Sequence, residues 1–281
     1  MLEDSVRPVQ FRDIWFNGYH HLRGETIEAF GAVQGERLTS AILRNHLPWN
    51  RAFGGKSIEC RGIRPVAKTL AGGLKLTLLS PNRKKLESLV PVWEKSCREA
   101  GLIPGVKARR AEAARGLESF GHIDIDKLAA LPFQEDHSEP NGTSIALLAE
   151  YRNKRLLLAA DAHPDLLEES LSLLARHGPG KLRLDAMKIS HHASSHNTSP
   201  KLLSLISCPR FLVSTNGSIY HHPDQVAMAR LICLGGAEKE IIFNYRTDET
   251  ALWDNPKWKR KYGYHTHYPH MRKDGNVVVS L

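Results

Sequence analysis

From residue 144 onward the chain alternates short apolar runs with helical stretches, joined by short connections, and few folds accommodate that pattern. Residues 144–151 read as a strand, 152–154 as a turn and 155–160 as a second strand ending on Asp161. A helix over 164–176 follows, then a strand over 182–189 that runs into Ser190, His191 and His192. A helix over 200–206, a strand over 211–214, a helix over 223–233, a strand over 241–243 and a last strand over 277–279 complete the half. Strand and helix in alternation predict an α/β fold.

The first half is less regular. Residues 11–16 read as a strand closed by Asn17-Gly18, and 25–46 as a helix. Residues 74–79 read as a strand, and Ser80-Pro81 as the start of a helix carrying Leu86, Leu89, Val90 and Trp93. Residues 103–141 interleave Pro, Gly and charge, and are expected to form an insertion or a flexible active-site loop. The whole, 1–281, is expected to be one domain.

Composition narrows the function. Of the 281 residues 41% are hydrophobic and 25% charged, which excludes wholesale disorder. The net charge of +9 favours an anionic small-molecule or nucleic-acid substrate without deciding the fold. The dense basic run 257–261 reads as a solvated face. The four cysteines form no C-x-x-C pair and are expected to be free thiols. With no apolar signal core and no run of the ~20 residues a span needs, no membrane partner is expected and the expected location is cytoplasmic.

Three strand ends deliver unusual polar residues: Asp161, then His191-His192 with Ala193-Ser194, then His221-His222-Pro223-Asp224. Ligand sites in open α/β sheets gather beyond the strand ends. One carboxylate and two histidine pairs there suit a metal such as Zn²⁺. The plainer alternative is that Asp161 caps the helix near Pro164 and that the histidine pairs are polar loop elements. His265-x-His267-x-x-His270 offers a separate ligand trio, with a polar C-terminal loop as the plainer reading. His163 and His196 could support the metal ligands.

The order of these features resembles the C-terminal half of a metallo-β-lactamase-fold hydrolase, in the branch related to the hydrolase domain of the competence protein ComEC. The resemblance rests on Asn141-Gly142-Thr143-Ser144, on Ala160-Asp161, on His191-His192-Ala193-Ser194, and on Ser214 to Gly217 with His222-Pro223. The segments 15–18 and 78–81 are similar to a bacterial subgroup of the same branch. The resemblance implies an αββα sandwich and a Zn²⁺ or Mn²⁺ site. Within it Asp161 would bridge two metals, and His191 or His192 would complete the ligand set of the second metal. His222 would contact the substrate, and Asn141, Ser144, Ser194 and His221 would shape the pocket. It implies hydrolysis of an ester, foremost a phosphodiester. Ala160 and Ala193 replace the branch's glycines. The fold's His-x-His-x-Asp-His hallmark is missing, so the chain is expected to be N-terminally incomplete, with a partner chain able to supply that half. The alternative is a non-catalytic remnant or subunit that binds nucleic acid or a protein.

Overall fold

The structure is a computed structural model that describes residues 9–24, 33–62, 65–99, 123–176, 180–218, 220–269 and 276–281. The chain sorts into two compact units, Met1–Arg61 with Pro81–Glu112, and Gly62–Ser80 with Ala113–Leu281.

The first unit is helical: α1 (Tyr19–Arg23), α2 (Val33–Arg44) and α3 (Arg83–Glu99). Its core joins Tyr19 and Leu22 to the apolar stripe Leu86, Leu89, Trp93 and Cys97 of α3. That stripe has the three-to-four-residue period of one helix face. α3 starts later than Ser80-Pro81 suggested. Ser80 stays paired with Ala146 in a strand, and Asn82 Oδ1 accepts the Lys85 N–H at 2.9 Å. Residues 11–16 form no strand. Ile14 makes a single parallel bridge to Trp49, and Asp13 turns its carboxylate to the N–H groups of Arg51 and Ala52. Of the expected helix 25–46, residues 25–32 lie outside the described residues.

The second unit carries β1 (Ala67–Thr69), β2 (Lys75–Ser80), α4 (Ile125–Ala129), α5 (Glu139–Gly142), β3 (Ala146–Tyr151) and β4 (Lys154–Leu158). It continues with α6 (Pro164–Ala175), β5 (Leu182–Arg183), β6 (Ala186–Lys188), α7 (Pro200–Ser204), β7 (Ile206–Ser207) and β8 (Arg210–Val213). The last elements are α8 (Gln225–Leu234), β9 (Lys239–Phe243), α9 (Asp248–Ala251), α10 (Pro256–Tyr262) and β10 (Tyr264–His267). Eight strands form one mixed sheet in the order β1-β2-β3-β4-β6-β8-β9-β10, and β5 pairs with β7 separately. β1 to β4 are an antiparallel meander, and β4, β6, β8, β9 and β10 run parallel. The α/β class read from the sequence is therefore present.

One face of the sheet presents Leu148, Leu157, Met187, Phe211, Val213, Ile241 and Phe243 to Leu167 and Leu171 of α6, Leu202 and Leu203 of α7, and Met228 and Leu231 of α8, all buried. Burying each such side chain contributes about 1.5–3 kcal/mol. Because the parallel strands are joined by helical crossovers, the chain leaves β4, β6 and β8 at the same end of the sheet.

Two expected strands change. The run 182–189 divides after Arg183: Leu182 and Arg183 pair with β7, and Ala186–Lys188 pair with β4 and β8. Asp185 at the junction donates its N–H to the Arg155 carbonyl at 2.8 Å, while its carboxylate accepts the Arg155 N–H at 2.9 Å and the Lys154 ammonium at 3.1 Å. Residues 277–279 form no strand. The last strand is Tyr264–His267, in the stretch read as a polar loop, anchored by buried Tyr264, whose hydroxyl donates to the Trp253 carbonyl. No helix among the described residues is long and apolar enough to cross a membrane.

Candidate active site

The chain leaves β4 at Leu158, turns through Ala159 and Ala160, and sets Asp161 in the wall of a cavity of about 980 Å³. It leaves β6 through Ile189 and Ser190 to place His191 and His192 in the same wall, and His222 lines it from the segment after β8. Asp161 does not cap the following helix. The N-cap of α6 is His163, and among the described residues no hydrogen bond reaches the Asp161 carboxylate.

The backbone here is strained. His191, His192 and Ala193 have φ of 43°, 54° and 66°, and Ala160 has φ of 49°. Left-handed conformations cost a residue with a Cβ roughly 1–2 kcal/mol each. Strain that tertiary contacts maintain tends to concentrate at functional sites. The His191 N–H donates to the Ala160 carbonyl at 2.8 Å, which ties the two strained turns together.

The three imidazoles are anchored alike, each through Nδ1. His222 Nδ1 donates to Asp224 Oδ1 at 2.8 Å, and Asp224 Oδ2 accepts the Ser195 N–H at 2.7 Å. His192 Nδ1 donates to the Ser214 carbonyl. His191 Nδ1 lies 3.0 Å from Asn197 Oδ1 and 3.6 Å from Asp136 Oδ2. Asn197 points its amide nitrogen at Asp136 and at the Asp161 and Ala162 carbonyls, so its oxygen faces the ring, while Asn141 Nδ2 faces the same ring nitrogen as a donor at 3.2 Å, so His191 Nδ1 meets both an acceptor and a donor. The Nε2 atoms of His192 and His222 are then left as bare lone pairs, and among the described residues no hydrogen bond reaches the Nε2 of any of the three rings. The ring centroids form a triangle with sides of 5.4, 6.2 and 6.4 Å.

Asp136 organises one side of the pocket. It accepts from Asn141 Nδ2 at 2.7 Å, Asn197 Nδ2 at 3.1 Å and the Ser138 N–H at 2.9 Å. Burial pushes its carboxyl up, but these hydrogen bonds outweigh burial and hold it far below the usual carboxylate range. Burial also pushes the Asp224 carboxyl up, and the bonds from His222 and Ser195 leave it below its ordinary value. Both groups are therefore carboxylates at neutral pH. Behind them the buried guanidinium of Arg230 donates to the carbonyls of Ser195, Thr198, Leu131 and Pro132, joining the loop after His192 to the segment before Asp136.

Of the remaining predicted residues, Asn141 and Ser194 line the pocket, and the buried Ser194 Oγ accepts the His196 N–H. Ser144 sits in the turn after α5, its N–H on the Asn141 carbonyl, away from the lining. His221 is outside the lining and bonds Glu249. His163 and His196 reach the carbonyls of Ser138 and Gln134 on either side of Asp136. Residues 123–141 form α4, α5 and this wall of the pocket, and 103–122 lie outside the described residues. Asp136, Asn197 and the role of Asp224 were not read from the sequence. The one signal was position: Asp136 lies five residues before Asn141 in an otherwise patternless stretch.

The donors suit a divalent metal in chemistry and in support. Imidazole nitrogens backed through Nδ1 by a carboxylate, an amide oxygen and a carbonyl are the usual supporting arrangement of metal-binding histidines. They do not suit it in closure. Among the described residues no three His, Cys, Asp or Glu side chains are gathered tightly enough to hold one ion. His265 and His267 share an exposed face of β10, each 3.8 Å from a glutamate, and His270 lies outside the described residues. The four cysteines are free, and burial pushes the Cys97 thiol up to about 11 and the Cys208 thiol up to about 12, so neither is a nucleophile.

No protein-family model, no curated protein and no solved structure matches this chain.

Proposed function

We propose that this pocket is the working half of a metal-dependent hydrolase site of the metallo-β-lactamase kind, in the branch related to the hydrolase domain of ComEC. The reaction is hydrolysis of an ester, foremost a phosphodiester. The observation that supports it is the anchoring of His191, His192 and His222 through Nδ1, which leaves three Nε2 atoms in one pocket with the Asp161 carboxylate, none of the four reached by a hydrogen bond among the described residues. On this reading the eight-stranded sheet is one layer of an αββα sandwich. Asp161, His191 and His192 would hold Zn²⁺ or Mn²⁺ together with ligands from outside the described residues. The ion supplies Lewis acidity and a more acidic water.

The chain's own residues do the rest. His222 takes a proton at Nε2 while Asp224 stabilises the imidazolium that forms, and the same ring returns the proton to the leaving oxygen. Asn141 and Asn197, at 3.2 and 3.0 Å from His191 Nδ1, fix the plane of that ring, and Asp136 holds both amides in place. The surplus of +9 favours approach of an anionic ester.

A second reading is a subunit that binds nucleic acid or a protein without catalysis. It is favoured by the failure of the described donors to close on one ion. Metal content of the purified chain, measured beside Asp161→Ala, separates the two. Stoichiometric zinc or manganese that the substitution removes, with turnover of bis(p-nitrophenyl) phosphate, is the expected result. No metal and no turnover, even with an added His-x-His-x-Asp-His chain, would sink the hydrolase reading.

A further inference from the structure

A second cavity, of about 970 Å³, opens at the other end of the same strands. Lys154 begins β4 and Asp185 precedes β6, whereas Asp161 and His191 follow those strands, so this groove and the histidine pocket lie at opposite strand ends. Five cations line it, Arg152, Lys154, Arg155, Lys181 and Arg183, against two carboxylates, Glu150 and Asp185, leaving a local charge of +3.

Both carboxylates are already occupied. Glu150 takes Lys75 at 2.7 Å and Arg155 at 3.2 Å, and Asp185 takes Lys154 and the Arg155 N–H. Arg152, Lys181 and Arg183 have no carboxylate partner among the described residues. All three are exposed, and a solvated lysine or arginine on a convex surface would need no explanation. Here they converge on one concavity from two different elements.

The turn that carries Arg152 adds a second observation. Arg152 and Asn153 have φ of 46° and 62°, the paired left-handed geometry of a two-residue hairpin that ordinarily selects Asn-Gly. An arginine held there is strained and sits at the tip of the β3–β4 hairpin. Its guanidinium lies 5.2 Å from the ring centre of Tyr151, which is 41% exposed at the groove's edge. A basic concavity edged by an exposed aromatic and a stacked guanidinium is the combination that holds phosphates while a base stacks.

We infer that this groove binds single-stranded nucleic acid, with phosphates on Arg152, Lys181 and Arg183 and a base against Tyr151. The inference does not depend on chemistry in the histidine pocket.

The test is fluorescence anisotropy of a short labelled single-stranded DNA of mixed sequence against the full chain, from about 50 to 200 mM KCl. Joint Lys181→Ala and Arg183→Ala should weaken binding about ten-fold and flatten the salt slope by about 1.4, two contacts at roughly 0.7 each. Joint Lys257→Ala and Arg260→Ala, two exposed cations on α10, should leave binding within about two-fold. Tyr151→Ala should cost about five-fold or more with the slope unchanged. Asp161→Ala should bind as the unaltered chain does, so loss of the hydrolase reading leaves this one standing. Equal loss from both cation pairs, loss from neither, or no binding at 50 mM KCl would overturn the groove. No effect of Tyr151→Ala would overturn the single-strand assignment.

Discussion

His222 and Asp224, two residues apart, are joined by a 2.8 Å bond from Nδ1 to Oδ1, and the second oxygen of that carboxylate holds the Ser195 N–H. One side chain thus sets the tautomer of a pocket histidine and pins the loop that carries the other two. Asp224→Ala removes the acceptor of both. Leaving such groups unsatisfied costs about 1–3 kcal/mol, so urea unfolding should show a loss of that size. In the same variant the ring nitrogens of His222 in an NMR correlation spectrum should lose the Nδ1–H preference. A His222 tautomer unchanged by the substitution would contradict the anchoring.

Arg230 is the larger structural commitment. It is 1% exposed, donates to four carbonyls and lies 5.3 Å from the ring centre of Phe133. Arg230→Met keeps much of the volume but strands those acceptors, and a cost of about 3 kcal/mol or more follows. Arg230→Lys should recover little, since an ammonium lacks the planar fork that reaches both segments. Hydrogen exchange should rise first at 131–136 and 195–198. Uniform loss of protection across the second unit would argue against a local clamp.

Much of this arrangement was legible in the sequence. Apolar runs with short connections gave the parallel half, because a strand buried on a helix-covered face needs Leu157, Met187 or Phe211 whatever surrounds it. The polar residues at the ends of those runs therefore pointed to one edge, where Asp161, His191, His192 and His222 now line one pocket. Asp136 was not legible. Its importance comes from Asn141, Asn197 and the Ser138 N–H, partners up to 61 residues away that no local pattern connects. The break at Asp185 and the strand at Tyr264–His267 were hidden for the same reason, since each depends on a distant partner, the Arg155 backbone in one case and β9 in the other.

Two alanines held in left-handed conformations beside the pocket give a test of strain against packing. Ala160 has φ of 49° and is partly exposed, and Ala193 has φ of 66° and is 1% exposed. Glycine relieves about 1–2 kcal/mol of left-handed strain and costs about 0.5–1 kcal/mol of backbone entropy. Ala160→Gly should therefore stabilise by about 0.5–1 kcal/mol. Ala193→Gly also gives up a buried methyl worth about 0.8 kcal/mol and should be close to neutral. Thermal unfolding of both variants checks the order, and a destabilised Ala160→Gly would refute the strain argument.

The first unit holds a buried histidine pair whose protonation can be read from its bonds. The Gly18 N–H donates to His21 Nδ1 at 3.1 Å, so that nitrogen is an acceptor and the proton sits on Nε2. His21 Nε2 lies 3.2 Å from the Gly55 carbonyl and 3.1 Å from His20 Nε2, so His20 must present a lone pair there. Trp49 closes edge-on over both rings, at 4.8 and 4.9 Å. A proton added to either ring would break one of these bonds or oppose two N–H groups. Burial, then the neighbouring His20 and Arg83, lowers His21 from 6.5 to about 4, and burial lowers His20 as well. The unfolded chain therefore takes up protons below pH 6.5 that the folded unit refuses. Stability is complete above that value and falls as the pH drops toward 4, by on the order of 3 kcal/mol for His21 alone. Hydrogen exchange of 19–24 and 49–58, corrected for intrinsic rate, should lose protection between pH 7 and 4.5. His21→Gln should flatten that dependence while lowering stability at neutral pH. Protection that stays constant over this range in the unaltered chain would mean that the pair is not held neutral.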